Sequence, residues 1–366
     1  MQIVFRTDAS LQIGAGHVMR CLSLADEMQK RGADCLFICS PLKGNLASFI
    51  SQRGHKVVVF PDYLIGSSKN LINTAHAHWL GTDSKVDAEF TKEIISTYTA
   101  DVPVDWLIVD HYALERNWEI SMRKCVRRIM VIDDLADRLH DCDILLDQNL
   151  GRLKQDYFEL LTPGTELLIG PQFSLLRPEF ATARSLSLYR RNKYFRLDNI
   201  LITMGGFDKN NVTEQVLNAL SAYSYPSKFS INVIMGKNAP WIERVQSIAK
   251  KMQNPTNVLV GVENMAEVMS DSDLVIGAVG STVWESCCLG LPSIVFELAA
   301  NQRTSAIALD KVRAAILLEK PCQIVELLDK WNAEQLTSQM LKELSQAAAV
   351  VTDGQGCNRV ADYLFE

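Results

Sequence analysis

The chain has 366 residues, 48% hydrophobic and 22% charged, with a net charge of −6. That apolar fraction excludes collagen-like, fibrous and largely disordered chains, and the length suits about two domains. The acidic balance argues against a basic nucleic-acid surface, and no apolar run approaches the roughly 18 residues of a membrane span.

At the N-terminus Arg6 and Asp8 follow only three apolar residues. A signal peptide wants about 7–15. The chain is therefore expected to open on a strand and to work in the cytoplasm. Strands are predicted at residues 3–6, 35–39, 56–60, 106–110, 129–133, 144–147 and 167–169. Helices are predicted over 17–30, 45–53, 87–99 and 114–125. A second series begins near Asp198, with strands at 200–204, 230–235, 258–260, 273–276 and 293–296. Its helices cover 211–222, 240–252, 265–270 and 282–289.

Between the two series, residues 184–196 carry Arg184, Arg190, Arg191, Lys193 and Arg196 and no acid. This shift in composition reads as a basic inter-domain linker with room for one helix. Beyond residue 321 the pattern is helical, over 324–331, 333–350 and 356–365. Alternating strands and helices predict an α/β chain with mostly parallel sheets. The expected division is 1–190, 191–350 and a last segment, 351–366.

Nine scattered cysteines without a CxxC pair read as buried hydrophobes of a reducing compartment. The six histidines are also dispersed. His76 and His78 are the close pair, with no third ligand nearby, so neither a metal nor a cofactor is expected.

Each half opens on a strand followed by a glycine turn. The first turn is Gly14-Ala15-Gly16-His17-Val18-Met19-Arg20. Its glycines let backbone N–H groups approach an anion at a helix N-terminus. It is not a dinucleotide fingerprint, because Met19 stands at the third glycine position and the second strand ends in Cys39-Ser40 without an acid. A Walker loop is absent as well. His17 falls in the first turn of the helix, where the dipole favours the neutral imidazole that a general base needs. A tight turn without ligand, and a histidine that only packs there, are the plainer alternatives.

The second turn, Gly205-Gly206, leads to a helix that Asp208 or Asn210-Asn211 can cap. Free N–H groups there suit a phosphate. The third site is Gly280-Ser281-Thr282-Val283-Trp284-Glu285. Thr282-x-x-Glu285 fits a capping box, which is a sufficient structural reason for both residues. Ser281 and Glu285 also share one helix face, so the carboxylate could accept ribose hydroxyls while the helix N-terminus meets a diphosphate. Asn301 and Gln302 after a later strand suit sugar hydroxyls or N-acetyl groups, and equally plain capping. Among strand-end polar groups, Asp110-His111-Tyr112, Asp133-Asp134 and Asp147-Gln148-Asn149 stand on the expected binding edge. Tyr112, Asp133, Asp134 and Asn149 are candidates by that position.

Taken together, the GxGH turn, the later Gly-Gly turn, and the GSTVWE, GLP and NQ runs resemble the two-Rossmann-domain, UDP-sugar-binding (GT-B) fold, including the lipid II N-acetylglucosaminyltransferase. The runs Phe5-Arg6-Thr7-Asp8, Gln12 to Arg20, Val109 to Tyr112, Ile132 to Arg138 and Leu146 to Leu150 look like the UDP-2,4-diacetamido-2,4,6-trideoxy-β-L-altropyranose hydrolases of pseudaminic acid biosynthesis.

The resemblance implies two Rossmann-like domains facing a cleft, with the last helix crossing back to the first. It implies hydrolysis of a UDP-sugar by water attack at the anomeric carbon, with His17 as base. Gly14, Gly16, Tyr112, Asn301 and Gln302 would line the sugar site. Gly205, Gly206, Val262, Ser281, Thr282 and Glu285 would hold UDP, with Glu285 on the ribose. A monomer is expected, with a small-molecule substrate and neither nucleic acid nor membrane insertion. A glycosyltransferase of the same fold and a non-catalytic nucleotide-sugar-binding protein are the rivals.

Overall fold

Segments such as Ile3-Val4-Phe5 and Leu107-Ile108-Val109 have no polar face, so both sides of their sheet must be covered. A computed structural model describes residues 1–66, 76–100, 102–193, 195–222 and 229–366. The described chain falls into two units, Met1–Leu175 with Cys357–Glu366, and Leu176–Gly356.

The first unit contains β1 (Gln2–Thr7), α1 (Gly16–Lys30), β2 (Asp34–Cys39), α2 (Ala47–Gln52), β3 (Lys56–Val59), α3 (Ser84–Thr99), β4 (Val104–Asp110), α4 (Arg116–Met122), β5 (Val126–Ile132), β6 (Ile144–Asp147) and β7 (Glu166–Ile169). Its seven strands are all parallel, in the order β3-β2-β1-β4-β5-β6-β7. Alternate residues of β1 feed two cores. Ile3 and Phe5 join Val18, Leu24 and Met28 of α1, and Val4 joins Leu107, Trp118 and Tyr157 on the opposite face.

The second unit contains α5 (Pro178–Lys193), β8 (Asn199–Thr203), α6 (Val212–Ser221), β9 (Ser230–Met235), α7 (Ile242–Ala249), β10 (Thr256–Val260), α8 (Met265–Asp271), β11 (Leu274–Ala278), α9 (Ser281–Cys288), β12 (Ser293–Phe296), α10 (Arg303–Lys311), β13 (Ile316–Leu317), α11 (Gln323–Ala333) and α12 (Thr337–Ala349). Its six parallel strands run β10-β9-β8-β11-β12-β13. The chain then returns as α13 (Gly356–Phe365) to the first unit. There Val360, Ala361 and Leu364 enter the core, and Trp106 Nε1 donates to the Leu364 carbonyl at 2.8 Å.

The basic stretch 184–196 is not a linker. Most of it lies in α5, which belongs to the second unit. Its arginines satisfy carbonyls at the C-terminal ends of neighbouring helices, groups that no helix can satisfy internally. Arg191 donates to the carbonyls of Met269, Ser272 and Leu289, at 2.8, 2.8 and 3.2 Å. Arg184 donates to Cys288, Ala349 and Thr352. Arg190 reaches Asp271 and Ser272 and pairs with Asp273. An acid-free composition is what three sets of helix C-termini attract. The chain accordingly passes between units after Leu175 and after Gly356, rather than at residues 190 and 350.

Candidate functional site

In both sheets the strand order reverses beside the first strand, between β1 and β4 and between β8 and β11. Open α/β sheets bind ligands outside the carboxyl ends of strands at such a switch point. The two glycine turns follow β1 and β8, Asp110-His111-Tyr112 stands at the end of β4 and Gly280-Ser281 follows β11, so these motifs stand at the two places.

In the first unit, Gly14 closes the turn after β1. It takes φ +82° and donates its N–H to the Ser10 carbonyl at 2.8 Å. Gly16 begins α1, and His17 follows it, 7% exposed. His17 Nδ1 lies 2.6 Å from Asp110 Oδ1 at the end of β4. A carboxylate can only accept, so Nδ1 carries a proton, and in the neutral ring the lone pair is on Nε2. Arg20, one helical turn after His17, grips the same carboxylate with two donors, Nε to Oδ2 at 2.7 Å and NH2 to Oδ1 at 2.6 Å. Burial pushes the Asp110 carboxyl upward, but the Arg20 charge and the hydrogen bonds from Arg20 and His17 override it and hold the group well below the usual carboxylate range.

A second carboxylate continues the network. Arg20 NH1 donates to Asp134 Oδ2 at 3.1 Å, and the Tyr112 hydroxyl donates to Asp134 Oδ1. Tyr112 is buried, and its ring stands edge-on to His17 with centroids 4.7 Å apart. Trp79 stacks on Tyr112 at 5.4 Å, and His76 packs against both rings. The tyrosine is thus an aromatic wall and a brace for Asp134 in one side chain.

Asp133 and Asn149, the other strand-end candidates, have structural partners. Asp133 pairs with Arg138 and accepts from the Ala136 amide. The Asn149 amide caps Asp147 Oδ1 at 2.9 Å. Asp147 also accepts from Tyr157 at 2.9 Å, and burial, with Asp134 and Asp133 nearby, pushes its carboxyl up to about 7. Among the described residues, no group of three or more His, Cys, Asp and Glu side chains is placed to hold a metal ion. No described helix is long and apolar enough to cross a membrane.

In the second unit, Gly205 (φ +80°) and Gly206 turn the chain after β8. The Gly206 carbonyl passes so close to Gly236 that a Cβ there would lie 2.2 Å from its oxygen, so glycine is required at the end of β9. The α6 amides are not free. Asp208 accepts from Val212 N at 2.8 Å and Thr213 N at 2.9 Å, so the helix already holds its own anion. The expected capping box at Thr282 is also absent. Helix α9 starts at Ser281, its N-cap is Gly280, and no side chain caps it. Thr282 is inside the helix, where its carbonyl accepts from Ser286. With the capping role gone, Glu285 needs another explanation.

Glu285 Oε1 lies 3.6 Å from Arg177 NH2, just before α5. The same guanidinium donates to the Glu263 carbonyl at 3.1 Å, in the loop of Val262 between β10 and α8. Gln302 Oε1 accepts from Leu298 N at 2.8 Å, bracing the loop after β12, and Asn301 lies in the same turn. Arg20, Trp79 and Arg177 are the polar and aromatic groups that the motif reading left out, and Asp110 stood on the expected edge without a role. For Asp110 a signal existed, an acid ending a wholly apolar run. For Arg177 there was none.

Two parallel α/β units, each with its switch point beside its first strand, and a last helix returning to the first unit, define a GT-B-like fold. Residues 199–355 match the glycosyltransferase family 28 C-terminal domain. Over its full length the chain superposes on MurG of Acinetobacter baumannii with a TM-score of 0.69 at 16% identity, covering 99% of that chain. The hydrolase resemblance is borne out by the UDP-2,4-diacetamido-2,4,6-trideoxy-β-L-altropyranose hydrolase of Campylobacter jejuni. The two are 28% identical over 85% of this chain and 97% of that protein. An uncharacterized protein of Methanocaldococcus jannaschii is 27% identical over 83% of this chain, which spans only 57% of that relative.

Proposed function

We propose that the protein is a nucleotide-sugar enzyme that hydrolyses a UDP-linked diacetamido-trideoxy hexose to UDP and free sugar, as in pseudaminic acid biosynthesis. The observation that carries this reading is the Asp110–His17 pair, in which the Nδ1–H of a buried imidazole is held by the carboxylate, so that the neutral ring has its lone pair on Nε2 at the switch point of the first sheet. Nε2 takes a proton from water as the water oxygen bonds to the anomeric carbon. The bond from that carbon to the β-phosphate oxygen breaks, and its electron pair leaves with UDP. Asp110 stabilises the imidazolium that forms, in the manner of an Asp-His dyad.

The second unit takes the nucleotide. The uncapped first turn of α9, with Ser281 and Thr282, offers N–H groups to the diphosphate as its charge grows. Gly205 and Gly206 admit it closely, Glu285 accepts the ribose hydroxyls, and the backbone around Val262 meets the base. Gly14, Gly16, Tyr112, Asn301 and Gln302 serve the sugar. The protein works as a soluble cytoplasmic monomer.

The match of residues 199–355 to a glycosyltransferase domain favours a second reading, transfer of the sugar to an acceptor. Incubation with the UDP-sugar and no acceptor, followed by NMR of the products, separates the two. Stoichiometric UDP and reducing sugar support hydrolysis. Turnover only when an acceptor is added overturns it. In His17→Asn the rate should fall roughly 10²–10⁴-fold if the imidazole is the base. Activity within about twofold of wild type removes that role.

A further inference from the structure

Arg177 was invisible to motif reading, yet it joins three separate pieces of the second unit. From the residue before α5 it donates to the Glu263 carbonyl at 3.1 Å, pairs with Glu179 at 2.9 Å and faces Glu285 of α9 at 3.6 Å. Its guanidinium also lies over the Phe180 ring, 5.1 Å from the centroid. Partners on several sides give this cation one orientation, and Arg177 and Glu285 are only 17% and 15% exposed. We propose that Arg177 is the positioning residue of the nucleotide site, holding the Glu285 carboxyl in place as ribose acceptor and tying the base-reading loop to it. The proposal rests on the reading of Glu285 as the ribose carboxylate.

The geometry suits that task. An ion pair at 3.6 Å is longer than a hydrogen bond, so it supplies charge while leaving lone pairs for incoming hydroxyls. The fork of an arginine can hold the Glu263 carbonyl with one nitrogen and face Glu285 with the other, which a lysine does with a single point charge. The same side chain therefore sets the spacing between the loop at Val262 and the carboxylate on α9.

The electrostatics make the task necessary. Burial pushes the Glu285 carboxyl up to about 7, Glu179 pushes it the same way, and Arg177 pulls it down. The Cys288 thiol is the further titratable group that feels Glu285. A protonated Glu285 loses much of its capacity to accept two hydroxyls. Arg177 and Glu179 thus act on ribose recognition with opposite sign.

The test compares UDP with 2′,3′-dideoxy-UDP by titration calorimetry from about pH 6 to about pH 8.5. The ratio of their dissociation constants isolates the ribose contact, because phosphate ionisation is common to both. In wild type the preference for UDP should be about 10-fold or more at the alkaline end and fall toward unity at the acid end. In Arg177→Gln the midpoint of that rise should move to higher pH. Arg177→Lys should restore part of the shift, and Glu179→Gln should move the midpoint to lower pH. A preference in Arg177→Gln that matches wild type at every pH overturns the proposal. So does a loss by the same factor at every pH, which is the mark of a merely structural residue. A folded wild type that shows no preference at any pH overturns the ribose reading of Glu285 itself. Should Arg177→Gln fail to fold, Arg177→Lys decides the matter: a midpoint moved part of the way to higher pH supports the proposal, and a preference that matches wild type at every pH overturns it.

Discussion

His17 Nδ1 lies 2.6 Å from Asp110 Oδ1, although the residues are 93 positions apart in the chain. The pairing assigns the tautomer of the imidazole, and Arg20 keeps the carboxylate ionised and aimed. Asp110→Asn retains the shape but supplies neither a negative charge nor an obligate acceptor. Its amide can turn an N–H toward the ring and stabilise the wrong tautomer. On the proposed mechanism, kcat should fall about 10²–10⁴-fold with a small change in KM. Steady-state assay of UDP release checks this, and near-wild-type kcat in a folded variant removes the dyad from the mechanism.

Asp147 gives a pH-dependent prediction. In the unfolded chain its carboxyl ionises near the ordinary value of 3.8, while in the fold it holds its proton to about 7. Between these values the folded state binds more protons than the unfolded state, so rising pH costs stability, and the cost is complete above pH 7. It amounts to roughly 2–4 kcal/mol. In Asp147→Asn the amide oxygen can still accept from Asn149 N. Its NH2 can donate to the Tyr157 oxygen, whose own proton can go to the Asp133 carbonyl at 3.1 Å. The variant should therefore raise the first unit's melting temperature near pH 8, with the gain fading below about pH 4. A gain of equal size at low pH would rule out the carboxyl as its source.

The parallel sheets were legible because buried strands declare themselves as short apolar runs between helical stretches. The loops were legible because glycines mark places where the backbone must turn. Pairings between distant residues leave no such trace. Nothing in the spacing of Asp110 and His17, or of Arg177 and Glu285, announces that they meet. Local patterns also misled. Thr282-x-x-Glu285 has the letters of a capping box, but the helix begins two residues earlier than that box requires, with Gly280 as N-cap. The arginines of 184–196 suggested a linker, yet Pro178 at the first helical position, Glu179 in the first turn and basic residues in the last turn are the ordinary marks of the helix found there. The end of β10 and the turn of Asn301 and Gln302 were placed by sequence, but their partners were not.

The same helix supplies a stability prediction. Arg191 is buried, and its guanidinium satisfies carbonyls at the ends of α8 and α9. Arg191→Met keeps much of the packing volume and leaves those acceptors without a donor. Each buried unsatisfied group costs about 1–3 kcal/mol, so the second unit should lose roughly 2 kcal/mol or more. Thermal unfolding should show the transition of that unit shifted down while the first unit's is unchanged. A variant with wild-type melting would mean that water replaces the guanidinium at no cost.

Trp79 tests the sugar side. Its ring stacks on Tyr112 with planes 25° apart and stands edge-on to His17 at 6.4 Å. Trp79, Tyr112 and His76 together form an aromatic surface beside the imidazole. Aromatic faces offer apolar area to the C–H side of a sugar ring, and a trideoxy sugar has more of that side than an ordinary hexose. If the sugar packs there, Trp79→Ala should remove about 1–2 kcal/mol of binding that is equal in ground and transition states. That loss raises KM about 5–30-fold and leaves kcat within about threefold. Tyr112→Phe should behave differently. It keeps the ring but takes away the hydroxyl that braces Asp134, so its effect should fall on kcat through Arg20 and Asp110. Should both variants change KM alone, Tyr112 would be a wall and nothing more. Should Trp79→Ala lower kcat alone, the aromatic surface would be holding His17 rather than the sugar.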